Sequence, residues 1–414
     1  MSLPQTAPRK AALAFIMVTV LLDVLALGII IPILPRLIVS FVHDDMAVAA
    51  RYIGLFGTLW ALMQFVFSPV QGALSDHFGR RPVILLSNLG LGVDYIIMAL
   101  APGLSWLLVG RILAGITAAS MSTSGAYIAD VTPPQDRARR FGYISAAWGI
   151  GFVVGPALGG VLGGIDPRLP FWIAAALSLT NFVYGLFVLP ESLPADRRAP
   201  FSLARANPLG ALGFLRAHSG LLGLAGVNAL YWLAHQVLPS VFVAYTMFRY
   251  NWSETTVGLS LAASGVCTLI VQGFLVGRVV PRIGERRAII LGLLFGASGF
   301  AMFGAAASGV WLFAGIAILS LWGFYAPASQ ALMSRRVGAS EQGQLQGANM
   351  SVMALTGLVG PSLFTLSFAH FIGRERTFLF PGAPFYLASG LLVMAALLAF
   401  RICTAMLREA ESVS

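Results

Sequence analysis

The chain has 414 residues, of which 58% are hydrophobic and only 10% charged, where soluble domains carry roughly 25% charged residues. That balance excludes a soluble enzyme and leaves room for about a dozen lipid-spanning helices of roughly 20 residues. A net charge of +10 would suggest nucleic acid in a soluble protein, but here the basic residues sit in short turns between apolar runs, so no nucleic-acid partner is expected.

Arg9 and Lys10 precede the first apolar run, from Ala11 to about residue 35. It is too long for a signal-peptide core and lacks a small-residue cleavage site, so it reads as a retained first span. Further runs lie near 52–75, 82–101, 105–129, 141–163 and 170–189. After a polar stretch they resume near 219–246, 256–277, 287–307, 309–333, 344–371 and 382–404. Lipid requires every backbone group to be bonded within its own segment or in a closed barrel, and barrel strands would be short and alternating. The prediction is an all-α integral membrane protein of twelve transmembrane helices. Six lie in an N-terminal bundle (1–189) and six in a C-terminal bundle (219–414), joined by a linker (190–218).

With the N-terminus in the cytoplasm, nineteen Lys and Arg fall on that side and six on the other. Both termini are therefore expected in the cytoplasm, in a bacterial-type inner membrane. The linker is rich in proline and arginine, with a short amphipathic helix expected over Pro208–Ala217 and its basic residues facing anionic headgroups. Cys267 and Cys403 lie far apart without CxxC or histidine partners, so neither a disulfide framework nor a metal site is expected.

The halves repeat one another. Gly72-Ala-Leu-Ser-Asp76-His-Phe-Gly79-Arg80-Arg81-Pro82 returns 205 residues later, degraded, as Gly277 to Arg287. Trp106 and Trp311, Gly142 and Gly347, and Gly155-Pro156 and Gly360-Pro361 keep the same offset. A constant offset implies duplication with parallel topology and a substrate path between the halves.

Of sixteen acidic residues only Asp23 and Asp94 fall inside spans. A charge at the bilayer centre costs roughly 2.5–3.5 kcal/mol, so such residues face protein or water and mark function. At about 1.5 Å per residue, each lies roughly 18 Å from the cytoplasmic end of its span, and Arg111 shares their level. The three form a candidate proton site, in which burial raises a carboxylate's proton affinity and a nearby guanidinium lowers it. A packing ion pair is the plainer alternative. Other polar residues inside spans are Gln64, Asn181, Asn228, Gln236, Gln272 and Asn349, with His235 also in span 7. From these and the aromatics, Gln64, Asn228, Tyr231, Trp232, Gln236 and Phe324 are the candidate substrate-binding residues.

The repeated loop is a candidate latch. Gly72 and Gly79 permit close approach and a tight turn, Asp76 can accept hydrogen bonds at a helix N-terminus, and Arg80 and Arg81 can reach Asp130. The second copy has Pro281 where Asp76 stands, so the latch is predicted to be one-sided. Span 5 carries Gly142, Gly151, Gly155-Pro156, Gly159 and Gly160, a bendable helix that neighbours can approach closely.

Taken together, these motifs resemble the major facilitator superfamily. Gly72–Pro82 is similar to its loop signature and Leu107-x-x-x-Arg111-x-x-x-Gly115 to its helix-4 motif, with Ala114 where glutamine is usual. The span-5 spacing resembles the antiporter motif of drug/proton exporters. Leu22-Asp23, Ala61–Gln64, Val93–Tyr95, Gly125–Asp130, Gly284–Ala288 and Gly343–Gly347 extend the similarity to tetracycline/proton antiporters over nearly the whole chain. That resemblance implies two bundles rocking about a central cavity, with protons as the coupling ion. It also implies export of a tetracycline, which a divalent metal can accompany. By it, Asp23, Asp94 and Arg111 match positions important for transport, and Asp76, Arg80 and Asp130 the gating charges. Two positions depart: Gly296 stands where the family has a span-9 aspartate, and Thr268 where it has a span-8 histidine.

The expected function is a proton-coupled exporter of an amphipathic drug, most simply a tetracycline, working as a monomer without a resident cofactor and without enzymatic activity. An exporter that does not recognise a metal chelate is one alternative. A receptor on this fold without turnover is another, although it would not need the Asp23/Asp94/Arg111 layer.

Overall fold

The computed structural model describes residues 6–118, 120–133, 136–201, 213–215, 219–338, 341–374 and 378–413. The helix expected over Pro208–Ala217 falls, apart from residues 213–215, outside them. Among the described residues, eleven helical segments are long and apolar enough to cross a membrane, and a shorter apolar helix, Leu104–Thr117, adds to them. Continued by Ser120–Val131, that helix makes span 4, so twelve spans follow one another as the apolar runs predicted. The protein is an all-helical, multi-pass membrane protein.

Several spans are interrupted where proline removes a helical hydrogen bond. Span 1 divides into Thr6–Ile30 and Leu34–Phe41 around Pro32. Span 7 divides into Ser219–His235 and Val237–Tyr250. Pro239 has no N–H to offer and its ring crowds the carbonyl four residues back, which is that of His235. In span 10, Gly309–Ser320 and Tyr325–Ser334 flank a 3₁₀ turn at Leu321–Phe324, one turn before Pro327. Span 8 contains a π turn at Val271–Leu275. Spans 2 (Met46–Phe78), 5 (Arg137–Ile165) and 11 (Gln342–Ile372) run through Pro69, Pro156 and Pro361 unbroken. The remaining spans are 3 (Arg80–Leu100), 6 (Leu169–Val188), 9 (Glu285–Ala305) and 12 (Ala383–Val413).

The chain forms two compact units. The first comprises Met1–Phe41, Leu59–Asn207 and Ser253–Ala262, and the second Val42–Thr58, Pro208–Trp252 and Ala263–Ser414. The N-terminal ends of spans 2 and 8 thus each belong to the other half's unit. Ile16, Val20, Val24, Ile84, Tyr127, Ile128 and Ala147 form a buried core in the first. Leu221, Leu224, Met333, Leu345 and Ala348 belong to one in the second.

Candidate functional site

In the first unit the two intramembrane carboxylates have different partners. Asp94 is fully buried, and its Oδ2 accepts from the Arg111 guanidinium at 2.8 Å. The same Nη2 lies 3.0 Å from the sulfur of Met98, one turn along. Gly110 makes room for the pair, since a Cβ there would stand 2.5 Å from Asp94 Oδ1. The pair is half satisfied: Asp94 Oδ1 and Arg111 Nε are buried without a hydrogen-bond partner. Asp23 is held instead by a neutral amide, with Asn181 donating to its Oδ1 at 3.2 Å. Asn181 Oδ1 in turn accepts from the Thr19 hydroxyl at 3.1 Å. Buried Tyr95 lies within electrostatic reach of Asp23, Asp94 and Arg111. Depth along the spans located the three charges, but not that Asn181, nearly 160 residues away in sequence, would be the residue gripping Asp23.

The loop at the end of span 2 is a charge cluster. Arg80 pairs with Asp76 in its own turn, donates to Asp130 at 3.0 Å and reaches Ser75 at 3.1 Å. Gly79 has φ +108°, a conformation that favours glycine, and a Cβ there would strike the Glu191 carboxylate. Glu191, absent from the predicted latch, caps span 3 by accepting from the backbone amides of Arg80 (2.8 Å) and Arg81 (3.2 Å), and also binds the amides of Ser192 and Leu193. A carboxylate there satisfies otherwise unpaired amides and meets the positive end of the helix. Replacing Glu191 with alanine is expected to cost about 1–2 kcal/mol, as a lost cap does, read as a lower thermal midpoint of the detergent-purified protein.

Three expectations for this loop are corrected. Arg81 does not reach Asp130, because its guanidinium donates to the Leu186 carbonyl at 2.6 Å. Gly72 is not a point of close approach, since a Cβ there meets nothing within 4 Å. Nor is the cluster one-sided. Glu285 and Arg335 form an ion pair, and they stand 205 residues after Arg80 and Asp130. The pair is thus repeated with its charges exchanged, and Gly284 repeats the positive φ of Gly79. Arg335 is well exposed, so this second pair contributes little, about 0–1 kcal/mol.

Span 5 lies against span 1. Gly151, Gly155 and Gly159 face Val24, Leu25, Gly28 and Ile29, whereas Gly160 faces Glu254, Thr255 and Gly258 at the start of span 8. Pro156 packs its ring against Gly28. Gly142 faces open space. The helix continues through Pro156 without interruption.

The second unit holds an open cavity of about 150 Å³, smaller than the roughly 300–1,000 Å³ of a whole drug-sized site. Asn228, Tyr231 and Trp232 line it from span 7, Ser329, Gln330 and Met333 from span 10, and Gln346, Asn349, Met350 and Met353 from span 11. Its amides form a chain: Asn228 donates to Asn349 at 3.2 Å, Asn349 donates to Gln330 at 3.3 Å, and the Tyr325 hydroxyl donates to Asn228 at 3.5 Å. Asn228 stands 205 residues after Asp23, so a neutral amide occupies the repeat position of a carboxylate. Three of the six candidate substrate-binding residues meet here. Gln236 does not, because its side chain fills the notch left by Gly360. Phe324 is buried in the 3₁₀ turn, and Gln64 belongs to the first unit. Gln330 and Gln346 escaped sequence reading, although the helical spacing of Gln346 and Asn349 with Met350 and Met353 marks one face.

The two departures are packed positions. A Cβ on Gly296 would lie 2.8 Å from Leu392 and 3.0 Å from the Trp322 indole, so the indole occupies the space a side chain would need. Thr268 donates to the Ser264 carbonyl at 2.8 Å.

Twelve spans in two repeated halves, carboxylates buried at mid-span and a cavity beside broken helices define a polytopic membrane transporter. The family model described as Major Facilitator Superfamily matches residues 16–247 and 224–412, and the chain belongs to that family. It is 42% identical over 358 residues to the class C tetracycline resistance protein of Escherichia coli, covering 86% of this chain and 90% of that one. It is 40% identical to the class G protein of Vibrio anguillarum, covering 83% and 87%. Among solved structures, the human organic anion transporter MFSD10 matches with a TM-score of 0.69 at 25% identity, covering 95% of this chain and 99% of that one. An inward-facing bacterial homologue of the lysosomal transporter Spinster matches in fold with a TM-score of 0.77 at 18% identity, covering 98% and 99%.

Proposed function

We propose that this protein exports tetracyclines from the cytoplasm in exchange for protons, by alternating exposure of its binding site to the two sides of a bacterial inner membrane. The observation that carries the proton assignment is the half-satisfied Asp94–Arg111 pair. One carboxylate oxygen is held by the guanidinium and the other accepts nothing from the protein, so a proton has an acceptor at Oδ1. Moving Arg111 away raises the proton affinity of Asp94, and returning it lowers that affinity. Asp23, bound through an amide, supplies a second acceptor on the neighbouring span. The relatives' names support tetracycline as cargo, and the cavity supplies amides, a hydroxyl and aromatic faces suited to a flat, polyhydroxylated ring system. Both termini lie in the cytoplasm by the distribution of Lys and Arg, and the chain acts as a monomer.

A resident metal has no evident seat, since the described residues contain no group of three His, Cys, Asp or Glu able to hold one. A divalent ion would travel with the drug as cargo. The packing at Gly296 favours a second reading, in which the drug is taken without its metal. Everted vesicles containing the protein are expected to accumulate tetracycline when acidified inside, and to lose it on adding a protonophore. Accumulation no greater than in control vesicles would rule out the substrate. Uptake that survives a chelator supports metal-free cargo, and uptake abolished by it supports the chelate.

A further inference from the structure

Spans 7 and 10 are both broken, and the breaks meet. His235 ends the first half of span 7, fourteen residues after Leu221 in a span that runs from Leu221 to Tyr250, which places it near mid-membrane, about 21 Å along the helix. Its imidazole lies 5.4 Å from the Trp232 ring and 5.5 Å from that of Trp322, which is carried by the 3₁₀ turn of span 10. Trp322 can stand there because Gly296 has no side chain, so the missing group on span 9 and the indole beside the histidine are one arrangement. At this level span 11 contributes Gly360, against Gln236.

The titratable side chains gathered around it are Tyr231 and Tyr325, stacked at 4.2 Å, with Tyr231 also 4.7 Å from Trp322. Among the described residues no ion pair involves His235. The indole N–H of Trp322 is buried without an acceptor, a cost that packing alone does not explain. Ionisable groups inside a membrane, at discontinuous helices near the midplane, mark ion sites, and the faces of indoles attract cations.

We propose that His235, between Trp232 and Trp322, is the proton-binding site of the second unit, and that its protonation opposes drug binding in the adjoining cavity. The link is Trp232, which touches His235 and also lines that cavity with Tyr231. An imidazolium draws the indole face towards itself, whereas a flat drug needs that face for stacking. Each ligand therefore weakens the other by the same factor, as exchange requires. This rests on the reading of the protein as a proton/drug antiporter, but the site can be tested without the drug.

The test uses the full chain in lipid nanodiscs with Asp23→Asn, Asp94→Asn and Arg111→Gln combined, so that neither buried carboxylate titrates and no guanidinium is stranded. His77 and His370, towards the ends of spans 2 and 11, remain and are distinguished from His235 by the His235 variants. Tryptophan fluorescence is followed from about pH 8 down to about pH 3, a window that holds both the ordinary imidazole transition and one displaced by burial. A quenching step on acidification that His235→Gln removes is expected. In the same background, tetracycline affinity should fall below the step by up to about tenfold per pH unit, the limit for one proton displaced per drug, and lose that dependence with His235→Gln. His235→Asn serves as the second neutral variant if glutamine lowers folded yield. No His235-dependent fluorescence step overturns the site. A step without a His235-dependent slope in affinity overturns the coupling to drug. Failure of the chain to bind tetracycline at all overturns the substrate while leaving the fluorescence result to decide the site.

Discussion

Asp94→Asn is expected to reduce drug accumulation in everted vesicles to background and to lower the amount of folded protein in the membrane. The two effects have separate causes. Asp94 is completely buried and is the ion-pair partner of Arg111, so neutralising it strands a guanidinium in the membrane interior. Removing one member of a buried pair typically costs about 3–5 kcal/mol, because the other charge is left uncompensated. Pairing that change with Arg111→Gln removes both charges and is expected to recover folding, measured as thermal midpoint and yield after purification. Export should not recover, since neither the proton acceptor nor the charge that modulates it remains. Asp23→Asn differs in a way only the structure supplies. The Asn181 amide that donates to Asp23 donates as well to an asparagine oxygen, so that hydrogen bond survives the change. Normal folding with lost export is expected there. Protonophore-sensitive export by the Asp94→Asn/Arg111→Gln protein would show that the pair serves packing alone.

The contrast between these carboxylates shows what a linear chain displays. Hydrophobic run length gave the twelve spans, and the 205-residue offset the duplication, because lipid imposes one length scale and duplication preserves spacing. Depth along a helix placed Asp23, Asp94 and Arg111 at one level, since rise per residue is fixed. Which side chains touch depends on helix rotation and on partners far along the chain, so Asn181 and Glu191 were not legible as the groups that hold Asp23 and cap Arg80. The breaks of spans 7 and 10 were more accessible than they looked. Pro239 and Pro327 each stand about one turn beyond them, and reading proline through its effect four residues back points to His235 and Gly323. The π turn at Val271–Leu275 has no comparable signal beyond Gly273. Likewise the Glu285–Arg335 pair was present at the repeat offset but concealed by its exchanged charges.

Alanine at Gly159 and alanine at Gly142 are expected to have opposite effects, although both glycines belong to the same span-5 motif. At 159 a Cβ would strike the carbonyl oxygen of Ile29 and stand 2.7 Å from its carbon. Those atoms are backbone of span 1 and cannot swing aside, so the two helices must separate. Overpacking of this kind costs about 1–3 kcal/mol, occasionally more, and a backbone obstacle places Gly159→Ala at or beyond the top of that range. The damage reaches the proton site, because span 1 also carries Asp23, and Gly151 and Gly155 hold the same seam against Val24, Leu25 and Gly28. Displacing span 1 pulls the Asp23 carboxylate from the Asn181 amide that now reaches it at 3.2 Å. Export should therefore fall together with the thermal midpoint. Gly142 faces open space, and alanine there relieves the entropic cost of glycine in a helix, a gain of roughly 0.5–1 kcal/mol. Its midpoint should rise slightly with export retained. A Gly159→Ala protein that melts and exports like the wild type would mean that the span 1–span 5 seam yields without consequence, and the motif would then act through flexibility rather than close approach.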